Sequence, residues 1–248
     1  MNKFNFILFL FLFAIVSTGL YGNEDKDDDE EKKDTCVLAF SIFGWYEGEC
    51  KNGRIMHGKG TFYYTTGAVY EGEFKNNKLN GKGKFSYING DIYEGEFKNN
   101  KINGNGIFYY ANGNKYEGEF KNNKFNGKGT FYYGSGKYKG GKYTGEFKNN
   151  KINGNGIFYY ANGDRYEGEF EDNKLNGSGI FYYANGDKYE GEFKDNRKHG
   201  FGIFYYANGN KYEGYWQNNK FHGQGTFTYK TGRVLKGEWK NNKFMGKE

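Results

Sequence analysis

Four sets of side chains have chemistry to offer. Cys36 and Cys50 are the two cysteines of the chain. In an oxidising compartment such a pair forms a disulfide, and in a reducing one it stays as free thiols. His57, His199 and His222 could hold a metal, but zinc needs ligands clustered at short spacing with cysteine or carboxylate partners. His199 and His222 instead fill a slot held elsewhere by Asn80, Asn103, Asn126, Asn153 and Asn176, so the histidines are expected to be turn residues. Lysines recur in KNNK runs as Lys75 and Lys78, Lys98 and Lys101, Lys121 and Lys124, and Lys148 and Lys151. Last come the rings, 25 Phe, 25 Tyr and 3 Trp, which carry stacking and partner recognition. No nucleophile elbow, P-loop or kinase motif set occurs. Pairs such as Gly104 and Gly106 sit in a strand pattern with no helix to receive a pyrophosphate. The expectation is a non-enzymatic protein without cofactor or metal.

What positions these residues is a repeat. The phrase YEGEF or a near variant begins at Tyr46, Tyr70, Tyr93, Tyr116, Tyr143, Tyr166, Tyr189 and Tyr212, with LKGEW at Leu235, and most intervals are 23 residues. Extra residues fall in 51–58 and in 134–142. A fixed period of this size means an array in which each unit stacks on its neighbours. Residues 46–248 therefore hold eight units and a truncated ninth. The 41 glycines, the absence of proline and a hydrophobic share of 36% argue for short strands and tight turns, not a large aliphatic core.

One unit, YEGEFKNNKINGNGIFYYANGNK from Tyr93 to Lys115, alternates with period 2 in YEGEF and GNGIFYY, which predicts two strands, and the polar KNNKIN and ANGNK read as turns. The fold class is all-β: an elongated, single-layer, twisted antiparallel meander of 23-residue hairpins. A three-residue loop of Asn112, Gly113 and Asn114 would set Tyr110 opposite Tyr116, Phe108 opposite Gly118 and Gly106 opposite Phe120, so that each glycine meets a ring. A two-residue Asn-Gly turn is the competing register, with Tyr116 opposite Tyr109. The ring face repeats at Phe62, Phe85, Phe108, Phe131, Phe158, Phe181, Phe204 and Phe227, each followed by a Tyr two residues on. Glutamates occupy the opposite face.

The first 22 residues, with Lys3 ahead of an apolar run from Phe4 to Val16 and small residues after it, have the layout of a secretory signal peptide; a retained anchor is the competing reading. Residues 23–35 begin with NEDKDDDEEKKD, an acidic flexible spacer lacking the turn glycine of a calcium loop. Residues 36–45 would cap the array as a leading strand. Aligned to a repeat, Cys36 takes the Gly106 slot and Cys50 the Phe120 slot, which makes them cross-strand partners and, in an exported chain, a disulfide. The whole chain carries +6, and residues 35–248 carry +10 once the acidic run is set aside. The body is basic.

Stretches such as YEGEFKNNKLNGKG at Tyr70 and YEGYWQNNKFHGQG at Tyr212 resemble the MORN (membrane occupation and recognition nexus) repeat, YxGxW followed by a polar loop and GxG. Most units here have Phe in the Trp position, which Trp216 and Trp239 keep. The resemblance implies a single-layer twisted sheet whose groove serves as a scaffold, a peptide-binding surface or a membrane-associated module. The leading expectation is a secreted or periplasmic scaffold that binds an unknown protein or peptide along a groove of Phe108, Tyr110, Tyr116, Phe131, Tyr133, Phe158 and Tyr160. A second is binding of an anionic membrane surface or acidic polymer by the KNNK lysines. A third is glycan binding by Tyr109 and Tyr159. Nucleic acid is not expected, because regular glutamate rows repel phosphates. Open edges at Val37 to Phe40 and at Leu235 to Trp239 would favour a homodimer.

Overall fold

The computed structural model describes residues 34–40, 42–50, 54–55 and 57–246. The readings of residues 1–33 as signal peptide and spacer lie outside the described residues. Among the described residues every regular element is a strand, and every pairing is antiparallel between strands consecutive in sequence.

The chain divides into two compact units, Met1–Phe125 and Asn126–Glu248. The first carries β1 (Asp34–Phe40), β2 (Gly44–Cys50), β3 (His57–Tyr64), β4 (Val69–Lys75), β5 (Lys78–Ser86), β6 (Ile92–Lys98), β7 (Lys101–Tyr109), β8 (Lys115–Lys121) and the start of β9 (Lys124–Tyr132). The second holds the rest of β9, then β10 (Lys142–Lys148), β11 (Lys151–Tyr159), β12 (Arg165–Glu171), β13 (Lys174–Tyr182), β14 (Lys188–Lys194), β15 (Arg197–Tyr205), β16 (Lys211–Gln217), β17 (Lys220–Thr228), β18 (Val234–Lys240) and β19 (Lys243–Phe244). The leading strand thus starts at Asp34, and the ninth unit closes a short second hairpin in which Trp239 pairs with Phe244.

Two turn chemistries alternate. At each KNNK-type tip both central residues have positive φ, as at Asn99 (50°) and Asn100 (64°), the geometry of a type I′ hairpin, and asparagine tolerates it better than most residues. Lys98 then pairs with Lys101. The second Asn also ties its repeat to the one before: Asn100 Oδ1 accepts the Leu79 N–H at 2.8 Å, while the Asn100 N–H donates to the Leu79 carbonyl at 3.0 Å.

The other turn corrects the expected register. The Tyr110 N–H donates to the Asn114 carbonyl and the Gly113 N–H to the Tyr110 carbonyl, both at 2.9 Å. The loop is three residues long as expected, but it is Ala111 to Gly113, with Gly113 at φ 86°, the left-handed position that closes such a loop with a bulge. Moving the loop back by one residue moves the pairing by one on each strand. Phe108 therefore faces Tyr116, Gly106 faces Gly118 and Gly104 faces Phe120. Because each strand shifts in step, the ring face stays the ring face.

Glycine pairs with glycine so that a ring can lie across both. Gly95 pairs with Gly106, and a Cβ on Gly106 would come within 2.6 Å of Cε2 and Cζ of Tyr93. The ring that covers the bare backbone therefore comes diagonally, from the tyrosine two residues before Gly95. Tyr46, Tyr70, Tyr93, Tyr116, Tyr143, Tyr166, Tyr189 and Tyr212 are all 0% exposed. A buried hydroxyl must find a partner, and Tyr93 Oη donates to the Glu96 carbonyl at 3.0 Å. Edge-on rings complete the packing: Tyr93 meets Phe97 and Phe120 with centroids 5.1 Å apart in both cases.

The histidine slot is in a strand, not a turn. His199 lies in β15 and His222 in β17, where the ladder carries a bulge. In the equivalent bulge of β6, Glu96 Oε1 accepts the Asn105 N–H at 2.9 Å, so one row of glutamates holds the strand irregularities in place.

Candidate functional site

The ring face of each unit carries a ladder in which Phe and Tyr alternate. In the second unit it runs through Phe131, Tyr133, Phe158, Tyr160, Phe181, Tyr183, Phe204 and Tyr206, with successive centroids 4.5–5.7 Å apart. In the first it runs through Phe62, Tyr64, Phe85, Tyr87, Phe108 and Tyr110, at 4.5–5.7 Å. Phe40 extends it from β1, 5.7 Å from Phe62.

The expected groove residues separate into two layers. Phe108, Tyr116 and Phe158 are buried, so they are the floor and not a contact surface. Tyr110, Phe131, Tyr133 and Tyr160 are half-buried and form the ladder's upper edge. The Tyr110 hydroxyl oxygen is itself shielded from solvent, and burial raises its pKa, with Asp91 adding to the effect. That hydroxyl is therefore not a handle for a partner, and Tyr110 offers the groove its ring alone.

One hollow opens on this face in the second unit. It has a volume of about 520 Å³ and is lined by Tyr138, Tyr160, Phe181, Leu175, Asn196 and Lys137. Tyr138 comes from the longer loop between β9 and β10 and is 38% exposed. Its ring stands edge-on to Phe158 at 5.2 Å and to Tyr160 at 6.3 Å. Sequence reading located the extra residues of this loop but not the tyrosine's place on the ring face.

A cation sits among rings in the next repeat. Lys198 occupies the strand position that Leu79, Ile102, Phe125, Ile152, Leu175 and Phe221 hold in other repeats. Its Nζ lies 4.2 Å from the Phe204 centroid, 4.9 Å from Trp216, 5.2 Å from Tyr183 and 5.3 Å from Tyr189. Burial lowers its pKa to about 8, while Asp187 favours the charged form, as do ring faces. Tyr183 is raised to about 12 by burial, with Asp164 and Asp187 contributing.

The KNNK lysines stand exposed at the hairpin tips, but they are not equivalent. In the second unit Lys151 pairs with Asp172 at 2.8 Å and Lys174 with Asp195 at 2.6 Å. In the first unit asparagines fill the corresponding positions, at Asn76, Asn99 and Asn122. On the opposite face, Lys142 covers the Tyr159 ring at 4.8 Å, Arg165 covers Tyr182 at 4.2 Å and Lys188 covers Tyr205 at 4.3 Å. Tyr159 is thus already engaged on one side, while Tyr109 is 38% exposed.

Cys36 and Cys50 are joined, with Cα atoms 6.1 Å apart. The bridge is diagonal, since Cys36 pairs with Gly48 and Cys50 with Asp34. It links β1 to β2, as expected, although the two residues are not direct cross-strand partners. The same one-residue shift seen in the repeat loops accounts for the difference. Among the described residues no cluster of three or more His, Cys, Asp or Glu has a metal-binding arrangement.

The repeat geometry and the family comparison agree. The MORN repeat profile matches nine consecutive segments, residues 46–69, 70–92, 93–115, 116–138, 143–165, 166–188, 189–211, 212–232 and 236–247. The chain belongs to the MORN repeat family. Each matched segment of this MORN-repeat chain opens on the buried tyrosine and its glycine pair, apart from the last, which opens one residue after Leu235. No curated protein matches the sequence at a significant level. Among solved structures, the chain is similar to the SAS-4 (dCPAP) TCP domain in complex with a proline-rich motif of Ana2 (dSTIL) of Drosophila melanogaster. That match has 12% identity, covers 83% of this chain and 90% of that one, and has a TM-score of 0.29, too low an overlap to transfer residues between the two.

Proposed function

We propose that this MORN-repeat chain is a non-enzymatic, exported scaffold that binds a protein or peptide on its ring face. The observation that carries the reading is the hollow of about 520 Å³ walled by Tyr138, Tyr160 and Phe181. Binding sites are concave and largely apolar with a few polar groups, and aromatic residues dominate interface energetics. The test is capture of partners by the mature chain from its native compartment, with Tyr138→Ala combined with Tyr160→Ala as the comparison. The reading expects capture to fall at least about tenfold, the effect of losing ~1.4 kcal/mol, and to persist in high salt. Capture that is unchanged in the double variant refutes it.

A second reading has its own observation. The first unit's tip lysines, Lys75, Lys78, Lys98, Lys101, Lys121 and Lys124, are exposed and face no aspartate in the adjoining turns, unlike Lys151 and Lys174. Such a row suits an anionic membrane surface, where each lysine contributes about 1 kcal/mol. Salt separates the two readings, because surface electrostatics are screened within about 10 Å at 0.1 M ionic strength.

A further inference from the structure

We infer that the hollow beside Tyr138 and Tyr160 is a receptor for the side-chain ammonium of a lysine on a protein partner. This deepens the proposed ring-face scaffold and rests on it. Two successive repeats differ at this place. In one, Lys198 places its own ammonium between Phe204, Trp216, Tyr183 and Tyr189, with Asp187 acting on it electrostatically. Every one of these has a counterpart 23 residues earlier: Phe181, Phe193, Tyr160, Tyr166 and Asp164.

The counterpart of Lys198 itself is Leu175, which carries no charge and is shorter, and Phe193 is smaller than Trp216. Leu175 is buried in the slot that Lys198 fills one repeat later, and on that side the hollow is lined by Leu175, Tyr160 and Phe181. Asp164 is held in place by accepting the Ala184 N–H at 2.9 Å and the Asn162 Nδ2–H at 2.9 Å, and it raises the pKa of Tyr160 after burial and Tyr138. The lining rings favour a cation, since ring faces attract ammonium groups, and Asp164, which lies outside the lining but acts on Tyr160, adds its negative field. Lys137 already rests its Nζ 5.2 Å from the Tyr138 centroid, so this wall accepts a cation, and an incoming lysine meets Lys137 as a like charge at the rim.

The probe is N-acetyl-lysine N-methylamide, titrated into the full chain with ring signals of Tyr138 and Tyr160 followed by NMR. Its uncharged match is N-acetyl-norleucine N-methylamide. The lysine probe is expected to give saturable shifts at those two rings, with the norleucine probe about tenfold weaker. Leu175→Lys should abolish binding by supplying an internal lysine, as Lys198 does one repeat later, and the thermal midpoint shows whether the variant folds. Asp164→Asn keeps the acceptor for the Ala184 N–H, as Asn210 does for the Lys230 N–H, loses only the bond from Asn162 and should weaken the lysine probe, while Lys137→Ala should bind it at least as tightly. Equal shifts from both probes, or undiminished binding to both Leu175→Lys and Asp164→Asn, overturn the inference. Partner capture that depends on Tyr138 and Tyr160 without lysine-probe binding would leave the scaffold standing and remove only the ammonium site.

Discussion

The Lys198 ammonium lies 4.2 Å from the centre of the Phe204 ring, in a column that is apolar in other complete repeats. Its ring contacts offset part of the cost of burying a charge but do not remove it, because burial still lowers the pKa to about 8. An unfolded lysine titrates near ~10.4. Between those values the unfolded chain holds the proton and the folded chain releases it, so stability rises with pH across that window. Below pH 8 the cost is fully present. Lys198→Leu should therefore raise stability at pH 7 by about 1–2 kcal/mol, after allowing for partial exposure, and flatten the rise between pH 8 and 10. Urea midpoints at pH 7 and 9.5 for both proteins check this.

The alkaline limit has the opposite sign. Burial raises the pKa of Tyr46 and Tyr212 to about 12, with Glu49 adding to the first, and raises the other core tyrosines as well. A raised tyrosine contributes stability that is complete below the unfolded value near ~10 and is lost as pH climbs past it. Stability should therefore fall steeply above pH 10, and the tyrosinate absorbance of the buried tyrosines should appear together with unfolding. Ionisation of half the tyrosines in a folded chain would contradict the buried Tyr column.

Glycine sites should divide by what covers them. Gly106 has the Tyr93 ring across it, so Gly106→Ala must displace a fully buried ring and should cost about 3 kcal/mol. At Gly136, with φ 75°, nothing lies within 4 Å of a new Cβ, and Gly136→Ala should cost only the ~1 kcal/mol of a left-handed backbone. Thermal midpoints of the two variants test the difference.

Much of this was legible because the 23-residue period fixes which residues share a face, and YEGEF announces where the buried tyrosine falls. The register was not legible to the last residue: ANGNK can place Gly113 in the middle or at the end of a three-residue loop, and only the left-handed φ at Gly113 decides. Lys198 carried a signal that could have been found, since it interrupts the apolar column of Leu175 and Phe221 at the same spacing. The hollow was harder, because it depends on Tyr138 folding back from a loop whose length breaks the period.

The Asn100 turn gives a test of how repeats are held together. Its positive φ and its paired hydrogen bonds with Leu79 are separate contributions. Asn100→Gly keeps the turn geometry and loses only the side-chain acceptor, and should cost about 1 kcal/mol. Asn100→Ala loses both and should cost about 2 kcal/mol. Hydrogen exchange at the Leu79 amide should accelerate in both variants while the midpoint falls further in the alanine one.

The last prediction concerns the Cys36–Cys50 bridge and the strand it secures. β1 pairs only with β2 among the described residues, so the stacking of Phe40 on Phe62 depends on an edge strand with a single neighbour. The bridge closes a loop with a sequence separation of 14, for which the chain-entropy account gives about 3 kcal/mol. Under reducing conditions β1 should detach before the rest of the first unit melts, uncovering β2 as a new edge. Unpaired edges recruit strands from other chains. Reduction should therefore lower the protection of the Val37 to Ala39 amides in hydrogen exchange and increase self-association measured by light scattering. The core tyrosines from Tyr70 onward should stay protected. If the amides of β1 keep their protection after the thiols are shown to be free, strand pairing and ring stacking alone hold the edge, and the disulfide is dispensable for it.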